Sequence, residues 1–218
     1  MMMVLPTVYA ESGCYEENQS AAINFSNCQK GASSNDAIAQ YFLAQMYRKG
    51  EGVEKNYVKA ERWYRKSAKQ GNALSQFNLG WMFDMGAGVQ KSTYETLKWY
   101  AKAAAQGDQH APFNLGTMYY RGDGVGRDFV KTYYWFDIAM INGATKAKKW
   151  RDRIAKRMSD EQISEAKKLL EQWYAETEAA ESTHAQPSSL WFFFYLQRFL
   201  YILFFKPKSI KVNRQANS

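Results

Sequence analysis

Residues 73–108 read ALSQFNLGWMFDMGAGVQKSTYETLKWYAKAAAQGD, and the same pattern of residues occurs once before and once after this stretch. Its clearest element is a Gly-x-Gly-Val sequence, which recurs every 36 residues at Gly50–Val53, Gly86–Val89 and Gly122–Val125. The same step separates three tryptophans and three glycines: Trp63, Trp99, Trp135, Gly71, Gly107 and Gly143. A period of this length is typical of helical repeat proteins, in which stacked helix pairs share one continuous core.

The repeat divides the chain into units at residues 37–72, 73–108 and 109–144, each predicted to hold two antiparallel helices. The first helix has an apolar face that contains one small residue, which is Ala44, Gly80 or Gly116. We expect a neighbouring helix to approach closely there, because glycine inside a helix otherwise costs about 1 kcal/mol relative to alanine. The first glycine of each Gly-x-Gly-Val is predicted to end this helix in the left-handed conformation.

The second helix of each unit carries a pair of aromatic residues one turn ahead of small residues. The pairs are Trp63-Tyr64, Trp99-Tyr100 and Trp135-Phe136. Large side chains so close to small ones indicate a knob-and-hollow fit between adjacent units, with the aromatic residues in the core.

The combined string, Phe/Tyr-x-Leu-Gly-x-Met-Tyr, Gly-x-Gly-Val and Trp-Tyr-x-Lys-Ala-Ala-x-Gln-Gly, resembles the Sel-one-like repeat, a relative of the tetratricopeptide repeat. The resemblance covers residues 37 to 144. It implies an all-α fold, namely a right-handed α-solenoid of antiparallel helix pairs with 36-residue repeats. It also implies an adaptor that binds another protein or a peptide, often in bacterial envelopes. The third unit departs from the pattern at Pro112, at Asp137–Met140 and at Asn142.

The flanks of the repeats read as degenerate units. Residues 13–36 echo a second helix with a few inserted residues, and residues 145–183 are predicted to form two C-terminal capping helices. Ser159 and Gln162 have the spacing of a capping box at the start of the last helix. In the basic helix before it, Trp150 and Ile154 are expected to mark the buried face, with the charges spread over several faces.

The resemblance places the partner-binding surface on the concave side, along the first helices. Asn78 and Asn114 resemble the asparagines with which tetratricopeptide grooves hold a ligand backbone. The predicted contact residues, called the strip below, are Gln45, Arg48, Asn78, Trp81, Asp84, Asn114, Thr117 and Tyr120. Trp81 is the best candidate for a binding hot spot, since tryptophan is enriched among such residues. For any one of these positions the alternative is an ordinary solvated side chain.

No catalytic site is predicted. The sequence holds no Ser-x-x-Lys, Gly-x-Ser-x-Gly or His-Glu-x-x-His motif, and its cysteines and two histidines lack metal-ligand spacing. We expect no catalytic residue, no metal and no cofactor. Proposals that some cysteine-rich relatives bind or slowly cleave β-lactams leave a hydrolase-like activity as the enzymatic alternative.

The formal net charge of +8 is concentrated in two segments. Lys146 to Arg157 holds seven basic residues and one acidic residue, and Lys206 to Ser218 holds four basic residues and none acidic. The first segment allows a second alternative, a basic patch that binds anionic lipid or nucleic acid. We favour a solvated capping helix and expect no nucleic acid partner.

Both ends of the chain bear on its location. Residues 1–12 include Val8-Tyr9-Ala10, which could be the remnant of an export signal. Residues 184–218 contain a linker, the apolar segment Leu190 to Phe205 and a basic tail, an order that favours membrane contact. These features predict a protein of the cell envelope, membrane-associated or periplasmic, with a cytoplasmic location as the alternative. Cys14 and Cys28 could form a disulfide if a turn separates them.

Overall fold

The structure, a computed structural model, describes residues 13–183. In these residues all regular secondary structure is helical, and the helices are α1 (Ala21–Ser33), α2 (Ala37–Lys49), α3 (Tyr57–Lys69), α4 (Ala73–Met85), α5 (Thr93–Ala105), α6 (His110–Arg121), α7 (Phe129–Ile141), α8 (Thr145–Ala155) and α9 (Asp160–Thr183). The chain divides into two compact units, Met1–Tyr174 and Ala175–Ser218. The repeat array lies in the first, and the described part of the second is the end of α9.

The helices of the first unit pack in chain order. The pairs α2–α3, α4–α5 and α6–α7 form three hairpins, and each hairpin packs on the next through α3–α4 and α5–α6. The same arrangement continues outward through α1–α2 and α7–α8. The predicted α-solenoid of helix pairs is therefore confirmed.

One residue register governs the second helices, including α1. The residues Ser20, Asn56, Ser92 and Asp128 lie 36 apart, and each caps its helix by accepting a hydrogen bond from the backbone N–H three residues on. α1 thus keeps the register of α3, α5 and α7, so the expected insertion of a few residues is wrong. Asn35, with φ of 66°, takes the place that Gly71 occupies one repeat later.

The small residue of each first helix receives an aromatic ring from the second helix. A Cβ on Gly80 would lie 2.7 Å from Tyr100 Cδ1, and one on Gly116 would lie 2.8 Å from the Phe136 ring. The predicted close approach is confirmed, but the ring comes from the same unit and not from the adjacent one. Tyr64, Tyr100 and Phe136 are fully buried, whereas Trp63 and Trp135 are only half-buried.

Buried glutamines join successive units. The Nε2 of Gln76 donates to Ala68 O at 3.2 Å, and its Oε1 accepts a 2.7 Å hydrogen bond from Gln106. Gln40 and Gln70 repeat the second bond one unit earlier, at 2.8 Å. The bond to Ala68 O satisfies a backbone carbonyl at the end of the preceding unit, which would otherwise be costly to bury, and the glutamine–glutamine bonds within each unit hold the donor in place.

The third unit reaches the same result by other residues. Pro112 stands where the earlier units have glutamine, and it carries no side-chain amide. Asn142 instead donates its Nδ2 directly to Ala104 O and to Asp108 O, both at 2.9 Å. The two departures from the repeat pattern therefore compensate each other at one contact.

A disulfide closes the N-terminal end of the array. Cys28 lies on α1 at the register position of Tyr64, and in the structure it is bonded to Cys14, with the two Cα atoms 4.6 Å apart. Both cysteines are buried. Asn24 fixes the intervening loop, because its side chain exchanges two hydrogen bonds with the backbone of Glu16.

At the other end, α7 holds α8 through a buried ion pair. Arg151 Nη1 lies 2.6 Å from Asp137 Oδ1, and both side chains are largely buried. The sequence Asp137–Met140 that departs from the repeat pattern thus faces this closing helix. The predicted capping box of α9 is confirmed by reciprocal hydrogen bonds between Ser159 and Gln162.

Several sequence predictions fall outside the described residues. They are the export-signal remnant at residues 1–12, the linker at 184–189, the apolar segment at 190–205 and the basic tail. Among the helices within residues 13–183, none combines the length and the apolar character needed to cross a membrane.

The tight contact of each Gly-x-Gly-Val turn with the preceding unit can be tested at Gly88. A Cβ there would lie 2.5 Å from the Tyr57 carbonyl carbon, whereas a Cβ on Gly86 would have no neighbour closer than 3.6 Å. Both glycines have similar positive φ angles, 74° and 69°. We expect Gly88→Ala to lower the free energy of unfolding by about 1–3 kcal/mol more than Gly86→Ala, measured by urea denaturation. Equal losses would mean that backbone strain alone, and not the contact, requires Gly88.

Candidate binding strip

The strip residues occupy three neighbouring first helices at matched register positions. Gln45 and Arg48 lie on α2; Asn78, Trp81 and Asp84 on α4; and Asn114, Thr117 and Tyr120 on α6. All eight are half-buried, in contrast to the fully buried Leu43, Leu79 and Leu115 on the core side of the same helices. The strip is therefore a surface with restricted access to solvent.

Arg48 organises the N-terminal part of the strip. Its Nη2 donates to Gln45 Oε1 at 2.7 Å, and its Nε lies 3.3 Å from the hydroxyl of Tyr64. Gln45 in turn donates its Nε2 to the Tyr41 hydroxyl at 2.6 Å. The guanidinium carbon lies 5.9 Å from the centre of the Trp81 ring, within the range of a cation–π contact. Arg48 thus links the first repeat to the second.

Trp81 lies at the centre of the strip. Besides Arg48, its ring has Tyr57 as a neighbour, with the ring centres 6.5 Å apart. No hydrogen-bond partner of its indole N–H occurs in residues 13–183. A half-buried indole with an available donor is the type of side chain that dominates binding in protein interfaces.

The two asparagines use their amide groups differently from one another. Asn78 Nδ2 donates to Leu74 O in its own helix at 2.7 Å, whereas Asn114 Nδ2 donates to the Tyr100 hydroxyl at 3.2 Å. Each keeps an Oδ1 acceptor with no partner in the described part of the chain. Each of these oxygens could accept a hydrogen bond from a peptide N–H of a ligand. In the first unit the same position is Phe42, which stacks on Tyr15 at 4.9 Å.

Asp84 supplies the negative charge of the strip. Across residues 13–183, no cationic side chain lies within ion-pair distance of its carboxylate. Burial raises the pKa of the Asp84 carboxyl; the positive charge of Lys91 opposes this rise, and the negative charge of Asp123 adds to it. A basic group of a partner would therefore find an uncompensated carboxylate here.

The C-terminal part of the strip is mostly aromatic. The Thr117 hydroxyl donates a 2.9 Å hydrogen bond to Phe113 O, so this side chain is bonded within its own helix. The Tyr120 ring has two aromatic neighbours, with its centre 6.4 Å from that of Phe129 and 6.2 Å from that of Trp150.

Trp150 was missed as a strip residue. It was expected on the buried face of its helix, but 37 % of it is exposed, and the buried positions of α8 are Ala147 and Ile154. Residue 150 lies 36 beyond Asn114, so α8 is the first helix of a fourth, shortened unit. Adding the 36-residue period to Asn114, Thr117 and Tyr120 gives Trp150, Arg153 and Lys156, so the sequence register alone would have aligned these residues with the strip.

The charged residues of this segment divide into ion-paired and unpaired sets. Lys148 is paired with Asp152, and Arg151 is paired with Asp137 and Asp152. The remaining basic residues share one exposed stripe with Trp150: Lys146, Lys149, Arg153, Lys156 and Arg157.

The chemistry available to the strip is that of recognition. It offers carbonyl acceptors, an indole donor, one carboxylate and several aromatic faces. In the described part of the chain, no three metal-ligating side chains come together.

These features define the class: an α-solenoid repeat protein with a half-buried polar and aromatic strip along its first helices. The Sel1 repeat profile matches residues 37–72, 73–108 and 110–140, so the chain carries three Sel1 repeats. Proteins of this family generally act as protein–protein interaction scaffolds and are generally not catalysts.

Solved structures that are similar to the chain include two with this repeat fold. A Sel1 repeat protein from Oxalobacter formigenes is 28 % identical, with a TM-score of 0.62 over 66 % of this chain and 61 % of that protein. The protective antigen c5321 of uropathogenic Escherichia coli strains, which displays an SLR fold, is 29 % identical, with a TM-score of 0.51 over 82 % of this chain and 47 % of that protein. The chain thus spans less than two thirds of either relative. No curated protein sequence gives a significant match.

A recognition role for Trp81 and a structural role for Trp99 predict different stability losses. Trp99 is buried, with its indole N–H bonded to Glu95 at 2.8 Å, so Trp99→Ala should cost about 3–5 kcal/mol. Trp81 is only half-buried, and Trp81→Ala should cost less than about 2 kcal/mol. Thermal or urea unfolding of both variants checks this difference. Comparable losses would assign Trp81 to the core.

Proposed function

We propose that the protein is a non-catalytic adaptor that binds a segment of another protein along the strip. The observation that carries this proposal is a set of half-buried groups on neighbouring helices that keep unused bonding capacity. These groups are Asn78 Oδ1, the Trp81 indole N–H, the Asp84 carboxylate and Asn114 Oδ1. Half-buried polar groups lose part of their hydration. A ligand that forms hydrogen bonds with them therefore gains more binding free energy than it would at an open surface.

The size of the strip favours a short ligand. Three repeats, with one additional first helix at the C-terminal end, provide four adjacent helices. This length suits an extended peptide or one face of a helix better than a large domain. The repeat frame holds the strip residues in place, because each first helix is fixed by an aromatic ring from its own unit. A preorganised surface of this kind pays little ordering cost on binding.

Trp81 should contribute most to binding. It combines a large ring, a free donor and contacts with Arg48 and Tyr57 that hold it in position. In interfaces, such central aromatic residues carry a large share of the energy, often about 2 kcal/mol or more.

The test is capture of partners in the source cells, with Trp63 as a matched control. Both tryptophans are half-buried, but Trp63 lies on α3, away from the strip. We expect partners crosslinked to the unaltered chain to be lost from Trp81→Ala and retained by Trp63→Ala, as identified by mass spectrometry. The melting temperature of each variant establishes that the protein remains folded. Partners that persist with folded Trp81→Ala would refute binding through the strip.

We further propose that the protein acts in the cell envelope. The support is the bond between Cys14 and Cys28, since structural disulfides form mainly in oxidising compartments outside the cytosol. The likeness to c5321, described as a protective antigen, points the same way. In the sequence, Leu190 to Phe205 followed by four basic residues favours membrane contact.

The thiol state in cells separates the envelope from the cytoplasm. In an oxidising compartment, Cys14 and Cys28 should resist a maleimide reagent added to acid-quenched, denatured cell protein, and react fully only after reduction. The readout is the shift in gel mobility. A Cys14→Ala/Cys28→Ala variant gives the position of unlabelled protein. Complete labelling without reductant would show free thiols and place the protein in a reducing compartment.

A further inference from the structure

We propose that the exposed face of α8 is the C-terminal end of the binding strip and that it selects an acidic partner segment containing an aromatic residue. The α8 face consists of Lys146, Lys149, Trp150 and Arg153 on the helix, together with Lys156 and Arg157 in the turn directly after it. This inference rests on the proposed function, because it names the chemistry of the ligand that the strip would bind.

The repeat register places the α8 face in line with the strip. Residues 150, 153 and 156 follow Asn114, Thr117 and Tyr120 by 36 positions each. Burial follows the same register, since Ala147 and Ile154 are buried at the positions of Ala111 and Met118. α8 packs on α7 as the earlier first helices pack on the second helices before them. A ligand lying along the strip would therefore reach α8 next.

The charge of the α8 face is uncompensated. Its five basic side chains form no ion pair in residues 13–183, while the two remaining basic residues of the segment, Lys148 and Arg151, are paired with aspartates. The guanidinium carbon of Arg157 lies 4.9 Å from the centre of the Phe129 ring. Electrostatic complementarity thus favours a partner rich in aspartate or glutamate.

Aromatic side chains beside this charge provide a place for an apolar anchor. The ring centre of Tyr120 lies 6.2 Å from that of Trp150 and 6.4 Å from that of Phe129. Because 37 % of Trp150 remains exposed, another aromatic side chain can pack against its ring. Aromatic pairs of this kind add about 0.5–1.5 kcal/mol beyond the area that they bury.

A peptide fits this surface better than an anionic membrane does. Asp84 of the strip and Asp123 lie close enough together for their charges to interact, so the surface as a whole is not uniformly positive. The Trp150 ring is also supported from one side by Tyr120 and does not project freely, as insertion into a lipid interface would require. A peptide can place acidic residues on α8 and avoid the two aspartates.

The test is fluorescence anisotropy of the purified full chain with labelled synthetic peptides. The main probe carries glutamates on both sides of a central tryptophan; the comparison peptides replace the tryptophan by alanine or the glutamates by lysine. We expect the main probe to bind more tightly than either comparison peptide. Trp150→Ala should weaken its binding by about tenfold or more, and Arg153→Gln by up to about fivefold.

Lys148→Gln is the matched control for charge. It removes the same charge from the same helix, but from the side paired with Asp152, and should change binding by less than about twofold. Failure of the main probe to bind, or equal effects of Arg153→Gln and Lys148→Gln, would overturn the inference. Binding to phosphatidylglycerol vesicles that depends on Arg153, with no peptide binding, would overturn it in favour of a membrane surface.

The same variants separate this inference from the proposed function. If captured partners require Trp81 but are retained by folded Trp150→Ala, the strip binds its ligand without α8, and only the inference fails. If captured partners are indifferent to both residues, the proposed adaptor role fails as well. If captured partners are lost from Trp81→Ala and also from Trp150→Ala, the result supports both the adaptor role and this inference.

Discussion

The contact on which the array depends is the one between an aromatic ring and a residue with little or no side chain. In the second repeat the Tyr100 ring lies against Gly80, where even a Cβ would come within 2.7 Å. Phe136 and Gly116 repeat the contact in the third unit. Because the ring and the glycine belong to one unit, each hairpin has a fixed separation between its helices. The spacing of the first helices, and with it the geometry of the strip, follows from this fixed separation.

Polar contacts then set how one hairpin sits on the next. Gln76 donates to Ala68 O of the preceding hairpin and is held by Gln106 of its own hairpin, and in the third unit Asn142 reaches Ala104 O directly, because Pro112 replaces the glutamine. Such a change preserves the hydrogen bonding of helix-end carbonyls, whose burial without partners would cost about 1–3 kcal/mol each. The ends of the array need other devices, since no further repeat covers them. A disulfide closes one end, and the Asp137–Arg151 ion pair holds α8 at the other.

The ends also connect the fold with the proposed function. At the N-terminal end, Tyr15 in the disulfide-held loop stacks on Phe42, the residue in line with Asn78 and Asn114. At the C-terminal end α8 extends the same line with Trp150 and a row of basic residues. Within residues 13–183, the first end of the strip is thus covered by the chain itself, whereas the other end is exposed and charged. A ligand on the strip would therefore meet an aromatic environment at one end and a basic one at the other.

The sequence by itself determined the repeat period, the helix pairs, the small residues at which another helix approaches closely and the glycines that end the first helices. These features are local or periodic. A left-handed helix end or a buried stripe depends on residues a few positions apart, and the pattern that specifies it occurs three times in the sequence. Only the tertiary structure decided which side chains keep free bonding groups. Asn78 turns its amide to its own helix while Asn114 reaches Tyr100, a difference that depends on neighbours in space. Trp150 was placed wrongly for a different reason, because α8 was read as an isolated helix and not as the next first helix of the repeat register. Within an isolated 11-residue helix its apolar ring suggests burial, but packing on α7 buries Ala147 and Ile154 and leaves the tryptophan at the surface.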